Sequence, residues 1–279
     1  MLVLEIIKVV IVSIVEGITE WLPISSTGHL ILLNEFLKLN VSAEFLEMFL
    51  VVIQLGAIMA VPVLFFERLN PFGRRRSTDD KSRVYRIWSK VIVGSIPAAV
   101  FGVLLDDLLD VYLYNYIVVA IALAVYGIAF IFVEKSRAEH KIRVNSIDEL
   151  TYKDALKIGG FQSLSLIPGT SRSGSTILGS MLCGVSRETS AEFSFFMAIP
   201  IMLGASGLKV VKFLLSGINL DATELLILFV GIVVSFVVSL LVIRFLMNFV
   251  KLHDFKVFGY YRIALGLLVL FYFFIKTLF

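Results

Sequence analysis

Apolar and polar positions alternate along this chain on a coarse scale, as long apolar runs separated by short charged loops. A helix that crosses a hydrocarbon layer about 30 Å thick needs about 20 apolar residues. Six stretches meet that requirement: 46–66, 87–105, 112–133, 192–215, 224–246 and 258–278. Two further stretches, 1–36 and 154–185, have a helical pattern but are broken, the first at Pro23 and the second at Pro168-Gly169. A broken segment at membrane depth frees backbone groups that only protein or water can satisfy. The pattern therefore predicts an all-α polytopic membrane protein with six spanning helices and two re-entrant helical hairpins.

The loops predict an orientation. Arg68, Arg74, Arg75, Arg76, Lys81, Arg83, Arg86 and Lys90 crowd one loop, Lys135, Arg137, Lys141, Arg143, Lys153 and Lys157 a second, and Arg244, Lys251 and Lys256 a third. The segments 106–116 and 217–224 have no Lys or Arg. The positive-inside rule places the three basic loops in the cytoplasm. Lys209 and Lys212 fall at the outward end of a span and run against this order unless they snorkel. Counting crossings with these loops inside leaves 1–36 and 154–185 unable to cross. They dip in from opposite faces, and both chain termini lie outside.

The halves also repeat. LPISSTGHLIL (22–32) aligns with IPGTSRSGSTIL (167–178) with one extra residue in the second copy. Pro23 matches Pro168, Ser26 matches Ser171, Gly28 falls opposite Ser173-Gly174, and Glu16 lies near Gln162. Each copy precedes three spans, so a single membrane domain, 1–279, is expected as inverted repeats, roughly 1–133 and 154–279, joined by a cytoplasmic loop, 134–153. Such repeats bring broken helices together near the midplane.

Composition supports lipid as the solvent. The chain is 58% hydrophobic and 17% charged with a mean hydropathy of +0.94, against about 45–50% and about 25% for soluble domains. The 24 Phe suit lipid-facing surfaces. The net charge of +3 is small and says little as a total; no nucleic-acid partner is expected. The single Cys183 excludes an internal disulfide and fits an inert packing role. No small-residue cleavage site follows the first apolar residues, so no cleavable signal peptide is expected.

Two polar clusters interrupt this apolar background. In 168–176, PGTSRSGST, glycines permit close backbone approach, a restarting helix offers free N–H groups and its positive end to an anion, and Arg172 adds a fork suited to phosphate. Gly169, Thr170, Ser171, Ser173 and Thr176 surround it. The Gly-Lys-Ser/Thr ending of a Walker loop is missing. The plain alternative is a solvated loop with a snorkelling Arg172. In 15–30, VEGITEWLPISSTGHL, Glu16 and Glu20 share a helix face. Two carboxylates so close call for a cation between them, and hard oxygen ligands suit Mg2+ or Ca2+. Otherwise one is protonated and serves as an acid or base, or the pair is an ordinary salt-bridged one. Ser26 and His29 are spaced so that the imidazole can reach the hydroxyl, with Thr27 between them. Trp21 is expected as an interfacial anchor. Together the clusters supply what phosphoryl transfer requires: positioning, charge neutralisation and a nucleophile or activated water.

The two motifs, with AEFSFFMAIP (191–200), resemble the bacitracin-resistance type undecaprenyl-diphosphate phosphatases over the whole chain. The resemblance implies a divalent-cation-dependent enzyme of the bacterial inner membrane. Its reaction would convert undecaprenyl diphosphate to undecaprenyl phosphate and inorganic phosphate at a site opening to the outer face. That would recycle the carrier lipid for wall synthesis and confer bacitracin resistance. It further implies that Glu16 and Glu20 serve metal or acid/base chemistry, Ser26 is the nucleophile, His29 the base or general acid, and Arg172 the diphosphate grip, with Ser171, Ser173 and Thr176 around it. Whether serine or a metal-bound water attacks stays open at this level. Membrane lipid surrounds the protein, and a homodimer is compatible with the sequence. A lipid-phosphate flippase or secondary transporter would use the same inverted repeats, with the glutamates as proton-coupling sites. A non-enzymatic lipid-binding scaffold leaves the Ser/His/Glu set without a purpose.

Overall fold

A long apolar run can satisfy every backbone N–H and C=O within itself, without water, only by coiling into a helix. The computed structural model describes residues 2–73, 77–113, 115–136, 142–215 and 220–278, with only the backbone of 106–111. Its helices are α1 (Leu2–Thr19), α2 (Ser26–Phe36), α3 (Ala43–Ile58), α4 (Ala60–Leu64), α5 (Phe66–Leu69), α6 (Thr78–Leu113), α7 (Tyr116–Ser136), α8 (Tyr152–Ser163), α9 (Arg172–Leu182), α10 (Arg187–Leu215), α11 (Ala222–Leu252) and α12 (Lys256–Leu278). Six segments are long and apolar enough to span: Ala43–Leu64, Thr78–Leu105, Tyr116–Ser136, Arg187–Leu215, Ala222–Leu252 and Lys256–Leu278. These are the six expected runs. Their outward faces are apolar too. On α7, Ile117, Ile121, Val125, Ile128 and Phe132 form an exposed stripe opposite the buried Leu123 and Phe130, as lipid contact requires. The Phe residues divide between this outer surface and the core, where Phe193, Phe195 and Phe196 are fully buried.

The basic loops meet at one end of the bundle. There Arg187 pairs with Glu134, Arg83 with Asp148, Arg68 with Glu192, and Arg143 with Asp154. The Phe255 backbone N–H donates to Glu134, tying the α11–α12 corner to the end of α7. Asp154 opens α8 in a capping box with Thr151. Burial raises its carboxyl, but the stronger combined effect of Arg143 and the Thr151 hydroxyl and N–H holds it down at about 2. At the other end Lys8 bonds Glu5 and the Lys38 carbonyl, Lys276 meets Glu35, and Lys209 pairs with Glu47. That last pair neutralises one of the two lysines that ran against the charge pattern. Arg74, Arg75, Arg76, Arg137 and Lys141, and residues 217–219 of the acidic loop, lie outside the described residues, as do the side chains of Asp106, Asp107 and Asp110.

The broken stretches form helix–break–helix hairpins, α1–α2 and α8–α9. The first hairpin is fixed at its open end by the Lys8–Lys38 and Lys276–Glu35 contacts. The second is fixed at the basic end, where Arg143 bonds both Asp154 and the Cys183 carbonyl. Cys183, half-buried, closes α9 there. Their turns meet in the interior. Helix pairing exchanges between the halves: α1 packs on α11 and α8 on α6, while α3 packs on α10 and α7 on α12 across the middle. At the α7–α12 crossing a Cβ on Gly127 would lie 2.7 Å from the Gly259 carbonyl, and one on Gly259 would lie 2.7 Å from the Gly127 carbonyl.

Candidate active site

Each turn ends in a serine that caps the following helix. Ser25 accepts from the Gly28 N–H and Ser171 from the Gly174 N–H, with φ of 74° and 71°. Positive φ is uncommon for a residue with a side chain, so the shared geometry sets the correspondence of the two copies. Ser25 is the counterpart of Ser171, Ser26 of Arg172, and Gly28 of Gly174. The alignment of Ser26 with Ser171 is corrected by one residue, because sequence similarity weighs identical letters whereas the cap depends on backbone position. Nine residues before each cap lie Glu16 and Gln162, both fully buried, with no hydrogen-bond partner for either terminal atom.

Glu20 links the two hairpins. Arg172 donates from one terminal nitrogen to Glu20 Oε1 at 2.8 Å, and Ser26 Oγ donates to Glu20 Oε2 at 3.3 Å. The Ser173 hydroxyl reaches the Glu20 carbonyl at 3.0 Å. Arg172 also donates to the Ser194 carbonyl on α10 at 3.0 Å, and Thr176 Oγ1 lies 2.5 Å from Ser194 Oγ. Trp21 is fully buried; its ring lies 5.4 Å from the Arg172 guanidinium carbon and meets Phe195 edge-on. The expectation of an interfacial anchor is therefore corrected: the indole packs inside, where a cation–π contact helps to hold the guanidinium.

His29 is not at Ser26. Its Nδ1 lies 2.7 Å from the Ser25 carbonyl and its Nε2 2.6 Å from the Tyr261 hydroxyl, with the rings stacked. A carbonyl can only accept, so Nδ1 carries a hydrogen; in the neutral tautomer that follows, Nε2 accepts from Tyr261. Gly169 and Thr170 serve the turn. Gly169 has a φ of +89° and lies so close to α7 that a Cβ would sit 2.5 Å from the Val119 carbonyl oxygen. The Thr170 N–H closes the turn onto Ile167. Ser171, Ser173 and Thr176 all bond within the site, and Thr27 faces a groove beside Ser26.

Sequence reasoning missed Ser194, Tyr261 and Arg262. Ser194 lies in a stretch already marked by resemblance. Arg262 lies within a span that also carries Lys276 near its end, so its charge is a signal only once its depth is known.

Several buried polar atoms of the site have no partner: both Glu16 carboxylate oxygens, Arg172 Nε and Trp21 Nε1. Unmet acceptors beside unmet donors suit a cation and an anion together. Among the described residues no three His, Cys, Asp or Glu side chains converge as a metal cage. A pair of carboxylates still fits Mg2+, which keeps several waters and takes the rest of its shell from substrate phosphates.

From Ser26 and Thr27 a groove of about 280 Å³ runs past Leu30, Leu33, Leu46 and Leu50, with Asn34 and Gln54, to Glu47 and Lys209 at the end away from the basic loops. This is a polytopic membrane protein whose two broken hairpins bring a carboxylate and a guanidinium together inside, next to a Ser26 that also lines an apolar groove.

The chain belongs to the bacitracin resistance protein BacA family, whose match covers residues 9–268. Among its relatives are the undecaprenyl-diphosphatase of Enterococcus faecalis, 54% identical over 95% of this chain and 96% of that one, and undecaprenyl-diphosphatase 1 of Clostridioides difficile, 57% identical over 98% and 97%. The undecaprenyl-diphosphatase of Desulfitobacterium hafniense is 53% identical over 100% and 99%.

Proposed function

We propose that the chain hydrolyses undecaprenyl diphosphate to undecaprenyl phosphate and inorganic phosphate, and so confers bacitracin resistance. The names of its near relatives support the reaction, and one observation carries it here: the Glu20–Arg172 pair joining the two hairpins, with Ser26 on the free carboxylate oxygen. In the resting arrangement Arg172 holds Glu20. A phosphate arriving at Arg172 replaces that carboxylate, because a guanidinium fork matches phosphate equally well. Glu20 is then free to take the Ser26 proton as Oγ attacks the terminal phosphorus. The bridging P–O bond breaks and its oxygen leaves with the lipid monophosphate. Water then displaces Ser26 to release inorganic phosphate. Arg172 Nε and the first N–H groups of α2 and α9 receive the charge that develops on the phosphoryl oxygens. Thr27 lines the approach, and the Ser171, Ser173 and Thr176 hydroxyls keep Arg172 and the turn in register. Glu16 and Glu20 would hold a divalent cation, Mg2+ or Ca2+. Bound there, it would neutralise diphosphate charge.

The apolar groove suits the isoprenyl tail. Its reach to Lys209 and Glu47, at the end opposite the basic loops, supports a site facing the outer side of the inner membrane. We assign the hairpins as re-entrant and the halves 1–133 and 154–279 as inverted repeats, supported by the exchanged helix pairings and by the opposite anchoring of the hairpins. The termini then lie outside. A tag between 77 and 83 should be labelled only from the cytoplasm, and labelling from outside would invert this map. A flippase needs no nucleophile and releases no phosphate, so purified protein in detergent with an isoprenyl diphosphate separates the two. Phosphate release is expected, and none would sink the phosphatase reading.

A further inference from the structure

Arg262 on α12 is fully buried, with no carboxylate partner among the described residues. The hydrogen bonds it makes go to backbone carbonyls instead. Nε reaches Leu123 on α7 at 3.4 Å. One terminal nitrogen reaches Pro23 in the first hairpin turn at 3.2 Å. The other reaches Gly169 and Thr170 in the second turn at 2.9 and 3.0 Å, and Ala122 at 3.5 Å. The Tyr126 ring lies 5.4 Å from its guanidinium carbon. One planar group thus touches both turns and the span between them. The close α7–α12 crossing at Gly127 and Gly259 brings it there, with Arg262 one turn beyond Gly259.

The two turns carry the reacting groups: Ser26 follows the first and Arg172 follows the second. Both capping serines have positive φ, a conformation that persists only when its surroundings impose it. The C=O and following N–H of a trans peptide point in opposite directions. Drawing the Thr170 carbonyl to Arg262 therefore turns the Ser171 N–H away from α12. A buried guanidinium also keeps its charge, which has no anionic hydrogen-bond partner among the described residues and favours a phosphate entering between the turns.

We propose that Arg262 is a positioning residue that clamps the two hairpin turns in register, so that Ser26 and Arg172 address one phosphate group. The proposal rests on the phosphatase reading for its kinetic consequence, but not for its structural one. A lysine keeps the charge yet is a point donor on a flexible stem, unable to span both turns and α7. A displacement of about 1 Å at a reacting centre costs about a hundredfold in rate.

The test uses the full chain with Arg262→Lys and Arg262→Gln, each checked for monodispersity and thermal unfolding in detergent, with kcat and KM measured on an isoprenyl diphosphate. Both are expected to lose about a hundredfold in kcat, with KM within about threefold. Arg262→Lys within threefold of wild type would overturn the clamp. Should Arg262→Gln fail to fold, Arg262→Lys alone decides. Spin labels at Phe36→Cys and Leu182→Cys, in a Cys183→Ser background, read the separation of the ends of α2 and α9 without any turnover. A single narrow distance is expected with Arg262, and a broadened or shifted one with either substitution; an unchanged distribution refutes the proposal. A wild-type chain that releases no phosphate defeats the phosphatase reading, while the distance measurement still judges Arg262.

Discussion

The two hairpins share a backbone and divide the chemistry. Both run helix, turn, capping serine with positive φ, helix, and both carry a buried polar residue nine positions before the cap. At equivalent places the first has Glu16, Ser26 and His29 where the second has Gln162, Arg172 and Ser175. One hairpin is acidic and nucleophilic, the other cationic. Two turns of like backbone geometry lie face to face. The difference in side chains lets them make a Glu20–Arg172 pair in a buried interior, where an unpaired charge of either sign would be costly.

Removing either side of that division should have the largest effect. Arg172→Ala and Glu20→Gln are each expected to lower turnover at least about a hundredfold, the loss typical of a removed charge-stabilising group. Phosphate release from an isoprenyl diphosphate checks this, and retained activity in both would move the site elsewhere. Ser26→Ala is expected to fall by a similar factor in the serine route. A rate near wild type would instead assign the attack to water. Making the first hairpin resemble the second with Glu16→Gln should raise the divalent-cation concentration needed for half-maximal turnover by about tenfold or more, since hard cations prefer ionised oxygen ligands. A metal titration reads this, and an unchanged curve would take Glu16 out of cation binding.

The shared features sharpen the comparison at smaller cost. Ser25→Ala and Ser171→Ala each lose a cap and should destabilise by about 1–2 kcal/mol, by nearly equal amounts if the turns are equivalent; thermal unfolding in detergent measures both. The smallest effect concerns pH at the basic end. Asp154 is held at about 2 in the folded protein against an ordinary 3.8. Its depressed pKa makes its contribution complete above 3.8, and the contribution is lost as pH falls toward 2. Wild type should lose its stability advantage over Asp154→Asn across that window and keep it at neutral pH.

Much of this was legible in the chain. The six spans and the breaks at Pro23 and Pro168-Gly169 followed from apolar run lengths, and the convergence of Glu20 with Arg172 followed from the repeat. Three features did not. Trp21 has the composition of an interface anchor, and only packing against Phe195 and Arg172 shows it inside. His29 sits at a spacing that permits contact with Ser26, yet the Ser25 carbonyl and Tyr261 claim both ring nitrogens. Arg262 within GYYRIALG is indistinguishable in sequence from a snorkelling arginine.

The sequence by itself determined how many times the chain can coil through lipid and where it must break, because those depend on local run length and on residues that stop a helix. Only the tertiary structure decided which groups meet: that Ser26 bonds Glu20, that Ser25 is the counterpart of Ser171, and that one guanidinium holds both turns. Those contacts depend on backbone carbonyls and side chains brought together from distant positions, and their directions are set by packing, which periodicity along the chain does not encode.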